Sequence, residues 1–194
     1  MMILVTAFGP FAGRKENASS LALRELKKAH SGIRTRILPV DAVIAPVRLR
    51  QALRQIRPDG LIMLGEAAGS KTIRLETTAW NELDFRIPDI AGRQIRSRPI
   101  RQDSPAMRLS TLPLKEFHAL LDEAGHGISY SDDPGRYLCN QLFYVALDYL
   151  HHHAIDIPAG FIHLPLEHDY PTTRATDALT RIIRLLGIPA ASSA

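Results

Sequence analysis

The chain is poor in cysteine. Cys139 is its only cysteine in 194 residues, so no internal disulfide can form, which fits a reducing cytoplasm. No apolar run reaches the roughly 18 residues expected of a membrane span. The apolar opening from Met1 to Ala7 has no basic stretch before it and turns into Gly9-Pro10, so it reads as a first strand and not as a secretion signal. Phosphate loops are missing too: FGPFAG, from Phe8 to Gly13, has neither the Gly-Lys-Ser/Thr ending nor the GxGxxG spacing. Internal repeats are absent, and low complexity is confined to residues 190–194. A net charge of +4 invites a nucleic-acid reading, but the arginines are scattered from Arg14 to Arg184. Their densest group, Arg93, Arg96, Arg98 and Arg101, lies in a proline-containing loop without interleaved aromatics and reads as solvated.

What is present is an ordinary globular composition, 45% hydrophobic and 23% charged, in a length that suits one domain. Apolar runs read as strands at 2–7, 34–40, 60–64, 128–131 and 160–164. Residues 71–81, KTIRLETTAWN, alternate with period two and read as one further strand. Between them, helical patterns cover 17–30, 45–56, 113–125, 140–153 and 172–186, with Asn17 or Ser19 as a cap for the first. The segment 86–110, with Pro88, Pro99 and Pro105, reads as a long loop that must be covered or carry function. Such alternation predicts an α/β fold, a mostly parallel sheet with helices on both faces. Ligands in these sheets bind beyond the carboxyl ends of the strands, which selects Phe8 to Gly13, Glu66 to Gly69, Cys139 and His163.

A lone cysteine is ordinarily a packing residue. Cys139, however, follows the turn-like Asp133-Pro134-Gly135 and sits where a helix begins, and unpaired amides and the helix dipole favour an anion there. A thiol nucleophile needs a base, and the chain has eight histidines. His151, His152 and His153 close the same helix, roughly 18–21 Å away at 1.5 Å per residue. His30, His118 and His126 read as surface residues. His163 ends the apolar run AGFIHL at a strand's carboxyl end, the place for a base. For the acid that orients it, Glu76 competes with Asp84, Asp89, Glu167 and Asp169, and spacing leaves the choice open. HLPLEHD offers His163, Glu167, His168 and Asp169 to a metal, but its histidines are five apart and Pro165 interrupts any helix, so no metal site is expected.

Four separated segments then fit one pattern. LVTAFGPFAGRKENAS resembles Thr-Gly-Phe-x-Pro-Phe-Gly-Gly followed by Asn-Pro-Ser. LGEAAGSKTIRLETTAWNELDFRIPDIAGRQ resembles Gly-x-Ala-Gly-Gly, a glutamate, an asparagine and Arg-Ile-Pro-Asp-x-x-Gly. YLCNQLFY resembles Tyr-Val-Cys-Asn-x-x-x-Tyr, and GFIHLP resembles Gly-Phe-Ile-His-x-Pro. Order and spacing hold from Ile3 to Leu186, and the chain resembles the pyroglutamyl peptidase family of cysteine peptidases. The resemblance implies a three-layer α/β/α sandwich around a mostly parallel twisted sheet, a single domain over 1–194 with a disordered tail from about 189. It implies Cys139 as nucleophile, His163 as base, Glu76 as orienting acid and Arg86 as support for the oxyanion. It implies a slot for the lactam ring between Phe8 and Phe11, supported by Asn17, with Glu66 and Leu138 beside it. The expected substrates are peptides with an N-terminal pyroglutamate, with no cofactor, and the chains are expected to form a homo-oligomer, a tetramer or dimer.

Some positions depart from the pattern. Ala7 and Ala12 stand where glycines are usual, which would narrow the ring slot or require a changed backbone. Ala68 and Ser70 alter the second glycine-rich loop, and Glu66 places a carboxylate where glutamine or an apolar residue is usual. Two function classes follow: an active omega-peptidase, and a non-catalytic relative with an altered pocket.

Overall fold

A computed structural model describes residues 1–187; the tail expected from 189 lies outside the described residues. Six strands form the main sheet: β1 (Ile3–Phe8), β2 (Ile33–Leu38), β3 (Gly60–Glu66), β4 (Ile73–Glu76), β7 (Ile128–Ser131) and β8 (Ala159–Leu164). Their order is β2-β1-β3-β8-β4-β7, and every pairing is parallel except β8 with β4. Five helices cover it: α1 (Ala18–Ala29), α2 (Ile44–Ile56), α3 (Leu114–Glu123), α4 (Leu138–His152) and α5 (Thr172–Leu185).

The period of two along β1 shows how the layers are built. Ile3, Val5 and Ala7 face a core shared with Leu23 and Leu26 of α1, Phe117 of α3 and Leu179 of α5. Leu4 and Phe8 face the opposite core, with Leu49 of α2 and Phe143 and Leu147 of α4. Both faces of the strand are therefore buried, which is why it reads as a continuous apolar run. The result is an α/β/α sandwich in a single domain, as the alternation and the resemblance predict.

Four expectations are corrected. Residues 71–81 are not one strand. The chain breaks at Thr77, whose N–H donates to the Ser131 carbonyl (2.7 Å) and whose own carbonyl accepts from the Ser110 amide (2.9 Å). Beyond it, β5 (Thr78–Trp80) leaves the main sheet and pairs antiparallel with β6 (Met107–Leu109). The segment 86–110 therefore contains a strand, unrecognised because Met107 and Leu109 both face solvent. The surface reading of His30 and His126 is also wrong. Both are buried; His126 Nδ1 meets the Tyr170 hydroxyl at 2.6 Å and its Nε2 the Asp177 carboxylate at 3.0 Å. Likewise, part of the arginine-rich loop is anchored: Arg93 pairs with Asp41 and Asp89, and Arg101 with Asp148.

The start of α4 is stapled to its surroundings by three side chains that flank residue 139, those of Tyr137, Asn140 and Gln141. Tyr137 donates to the Pro88 carbonyl (3.0 Å) and Gln141 to the Ala42 carbonyl (2.9 Å). Between them, fully buried Asn140 accepts from the Trp80 amide (2.8 Å) and donates to the carbonyls of Trp80 and Glu82, both at 2.9 Å. Removing that amide leaves three backbone groups unpaired. Asn140→Ala should lower the unfolding free energy by roughly 2–4 kcal/mol in urea denaturation. A change below about 0.5 kcal/mol, the scale of an ordinary surface substitution, would contradict this account of the staple.

Candidate active site

Because β1, β3 and β8 run parallel, their carboxyl ends, at Phe8, Glu66 and Leu164, open on one side of the sheet. The first turn of α4 arrives there as well. Together they border a cavity of about 780 Å³ lined by Phe8, Phe11, Asn17, Glu66, Arg86, Leu138, Cys139 and His163, among others. The structure thus brings together eight of the residues singled out in the sequence; Glu76 lies behind His163, fully buried. A larger hollow of about 1170 Å³ lies along α2 and the end of α4, between Arg50, Arg54 and Tyr149, but it contains neither the thiol nor His163. Among the described residues, no three His, Cys, Asp or Glu side chains are grouped as a metal ion would require.

Cys139 is the second residue of α4 and is half-buried. The first intrahelical bond runs from the Gln141 amide to the Tyr137 carbonyl (3.0 Å), and no side chain caps the helix. The amides of Leu138, Cys139 and Asn140 therefore precede the helical ladder, where they favour negative charge. Room for the sulphur comes from β3. A methyl on Gly65 would lie 3.0 Å from Cys139 Sγ and 2.7 Å from the Phe161 ring, so the close approach requires glycine.

His163 is buried on β8 beside Gly65, within hydrogen-bonding reach of Cys139, and its Nδ1 meets Glu76 Oε1 at 2.7 Å. The antiparallel direction of β4 makes this contact. Arg74 is the cross-strand neighbour of His163 and Glu76 that of Phe161, so Glu76 sits two residues deeper in the sheet than His163. Glu76 is the carboxyl end of β4, but because β4 runs against β8 this end lies away from the carboxyl ends of β1, β3 and β8 that open on the cavity. Of the other carboxylates considered, Asp84 reaches the same cavity. Asp89 instead holds its own loop, accepting from the amides of Ala42, Ala91 and Arg93. Asp169 pairs with Lys71, and Glu167 accepts from the Thr172 hydroxyl.

Burial by itself would make His163 a weaker base. The charge and hydrogen bond of Cys139, and then those of Glu76, outweigh it and push the imidazole up from 6.5 to about 9. An imidazole that holds its proton between a thiol and a carboxylate that orients the ring is an arrangement able to supply a nucleophile with a proton donor beside it. Tyr137, which stacks edge-on against Phe85 at 4.6 Å, keeps its proton: burial, and then the negative charges of Asp89 and Cys139, push its phenol up.

Three arginines in the cavity wall, Arg14, Arg74 and Arg136, were not foreseen, and the last pairs with Glu82 and Asp133. Arg74 Nε lies 3.4 Å from Glu76 Oε1, and its guanidinium donates to Ser131 Oγ (2.5 Å) and to the Asp133 carbonyl (2.8 Å). Its signal was present, since residues 74 and 76 share one face of a strand. Arg14 pairs with Glu66. The departures from the glycine pattern resolve differently from each other. Ala7 points into the α1/α5 core and does not narrow the slot. Ala12, with φ of 54°, does adopt the left-handed backbone, next to Gly13 at 75°, in an exposed turn.

Residues 1–193 match the family model described as Pyroglutamyl peptidase. A pyrrolidone-carboxylate peptidase of Streptococcus pyogenes is 36% identical over 189 residues, covering 93% of this chain and 88% of that one. Pyrrolidone-carboxylate peptidase 1 of Caldanaerobacter subterraneus subsp. tengcongensis is 35% identical over 167 residues, covering 85% and 82% respectively. Among solved structures, a mutant pyrrolidone carboxyl peptidase from Pyrococcus furiosus superimposes with a TM-score of 0.90 at 31% identity, covering 95% of this chain and 97% of that one.

The raised imidazole has a checkable consequence. In the folded protein, His163 should titrate near pH 9 by NMR. Glu76→Gln and Cys139→Ala should each lower that midpoint, the cysteine change by more. The sign for stability follows. The folded state holds this proton more tightly than an unfolded chain, so the contribution is complete below about pH 6.5 and disappears as pH rises through about 9. A wild-type midpoint at or below 6.5 would refute the pairing.

Proposed function

The chain belongs to the pyroglutamyl peptidase family, and from that premise we propose that it hydrolyses the amide bond after an N-terminal pyroglutamate, releasing 5-oxoproline. The observation that carries the reading is the contact chain of Cys139, His163 and Glu76 at the floor of one cavity.

The thiolate of Cys139 attacks the pyroglutamyl carbonyl carbon. A C–S bond forms and the carbonyl electron pair moves to oxygen, where the free amides at the start of α4 and the Arg86 guanidinium supply donors. Arg86 is exposed in the cavity wall, and its side chain makes no hydrogen bond or ion pair within the described residues, which leaves it available for this role. The intermediate collapses, the C–N bond breaks, and the His163 imidazolium gives its proton to the departing amine. Water then attacks the thioester, returning a proton to His163. The C–S bond breaks, regenerating the thiolate and freeing 5-oxoproline as its carboxylate. Glu76 holds the imidazole in place throughout.

Ring recognition follows from shape and from the absence of charge. Phe8 and Phe11 are the apolar walls, with Leu138 behind them. Asn17 has its Oδ1 committed to the Ser19 amide (3.0 Å) and hydroxyl (2.6 Å), where it caps α1. Its Nδ2 has no partner within the described residues and is free to donate to the lactam carbonyl. A site built around such a bond rejects rings that lack the carbonyl.

A reducing cytoplasm suits an enzyme that depends on one reduced thiol. Self-association into a dimer or tetramer is supported by the exposed apolar group Val43, Ile44 and Val47 on and beside α2. No described helix is long and apolar enough to cross a membrane.

Reduced protein should cleave a pyroglutamyl aminocoumarin amide and leave the prolyl and glutamyl analogues intact. Cys139→Ala should abolish turnover while retaining the fold, and Arg86→Met should lower kcat roughly 10²-fold, as expected for one lost transition-state donor. Folded, reduced protein that cleaves nothing between about pH 6 and 9, or activity that survives in Cys139→Ala, would overturn the proposal.

A further inference from the structure

Glu66 ends β3 and lines the same cavity wall as Phe8, Phe11 and Asn17, with its side chain only 7% exposed. Both of its oxygens are occupied. Oε2 accepts from the Ala18 amide at 2.7 Å, and Oε1 pairs with the Arg14 guanidinium. The first of these bonds requires a residue other than proline at position 18, because proline has no N–H to give; the family pattern has proline there. The second is made by the loop between β1 and α1. A tight turn closed by the Arg14 amide on the Phe11 carbonyl (3.2 Å) carries Phe11 to the slot and Arg14 to the carboxylate. Glu66, Arg14 and Ala18 thus form one arrangement.

An enclosed carboxylate without a counter-charge is costly, and any cation that entered would be drawn to it. The N-terminal ring most easily confused with pyroglutamate is that of proline, which has the same five members but carries a protonated amine at neutral pH. Beside a bare Glu66, that amine would find a partner. With Arg14 in place the wall is neutral, so a ring amine must give up its water with nothing to replace it, whereas the uncharged lactam loses little.

Resting on the pyroglutamyl reading above, we propose that Arg14 is a specificity-determining residue: by neutralising Glu66 it excludes peptides with a free N-terminal proline from the slot. The residue acts on binding of the ring and not on the chemical step.

The test compares binding of pyroglutamide and prolinamide, by calorimetry at pH 7, to four proteins: wild type, Arg14→Met, Glu66→Gln and the double variant. Wild type should prefer pyroglutamide. Arg14→Met should bind prolinamide more tightly and shrink the preference by roughly tenfold or more, the scale of one charge left uncompensated. Glu66→Gln, which leaves Arg14 unpaired, should bind prolinamide more weakly than wild type, and the double variant should regain the wild-type preference. Arg14 is nearly half exposed (46%), so its replacement leaves the core intact. An unchanged preference in Arg14→Met, a shift that persists in the double variant, or tighter prolinamide binding by Glu66→Gln would each overturn the proposal. So would a wild type that binds neither amide. Because binding is read without turnover, a protein that binds pyroglutamide with the expected pattern but cleaves no peptide would refute the peptidase reading alone.

Discussion

The hydrogen bond between His163 and Glu76 is the contact around which the rest of the site is arranged. It joins two strands that run in opposite directions, and the single antiparallel pairing in the main sheet makes it. Were β4 parallel to β8, the residues after its carboxyl end would open on the cavity with those of β1, β3 and β8. Instead its carboxyl end lies on the side away from the cavity, and among the described residues the carboxylate is met by the imidazole and by Arg74. In that enclosure the carboxylate acts on the ring undiminished by water, and the proton of His163 is held against the cost of burial.

The thiol is placed by different means. The position of Cys139 depends on where α4 starts, and that is decided by its neighbours in sequence: Tyr137 and Asn140 bond to the backbone of β5 and of the segment after it, and Gln141 to the backbone before α2. The segment after β5 also carries Arg86 and Asp89, so the stability of the helix start and the shape of the cavity rim are linked. Gly65 completes the arrangement from below, where a side chain would strike the sulphur and the Phe161 ring. Folding stability and the geometry around the thiol here draw on one set of contacts.

The ring side of the cavity has its own logic. The loop from Gly9 to Asn17 is short of regular structure and is held by Asn17 on the first turn of α1 and by Arg14 on Glu66. This side of the cavity is therefore bordered by the rings of Phe8 and Phe11 and by the ion pair of Arg14 with Glu66, the features on which the proposed recognition of a flat, uncharged ring rests. The left-handed Ala12 shows that the turn keeps its shape even where the residue is not the favoured one, because neighbouring contacts hold the loop.

How much of this was legible can be judged residue by residue. Strand-helix alternation and apolar runs identified the α/β sandwich, because each buried element carries its period in its own side chains. Strand ends pointed to Phe8, Glu66 and His163, and the lone thiol stood at the start of a helix. Glu76 could not be chosen from spacing, and only the motif resemblance selected it. Its face was readable from the period of two, but the direction of β4 and its neighbour β8 were not. Those depend on pairing between segments some 87 residues apart. The break at Thr77, the burial of His126, the inward turn of Ala7 and the pairing of Arg14 with Glu66 have the same origin. A sequence determines which face of an element is apolar and which residues can do chemistry. Which distant side chain meets which is decided only when the sheet assembles, because the energy of those contacts is realised across the tertiary interface and leaves no local pattern.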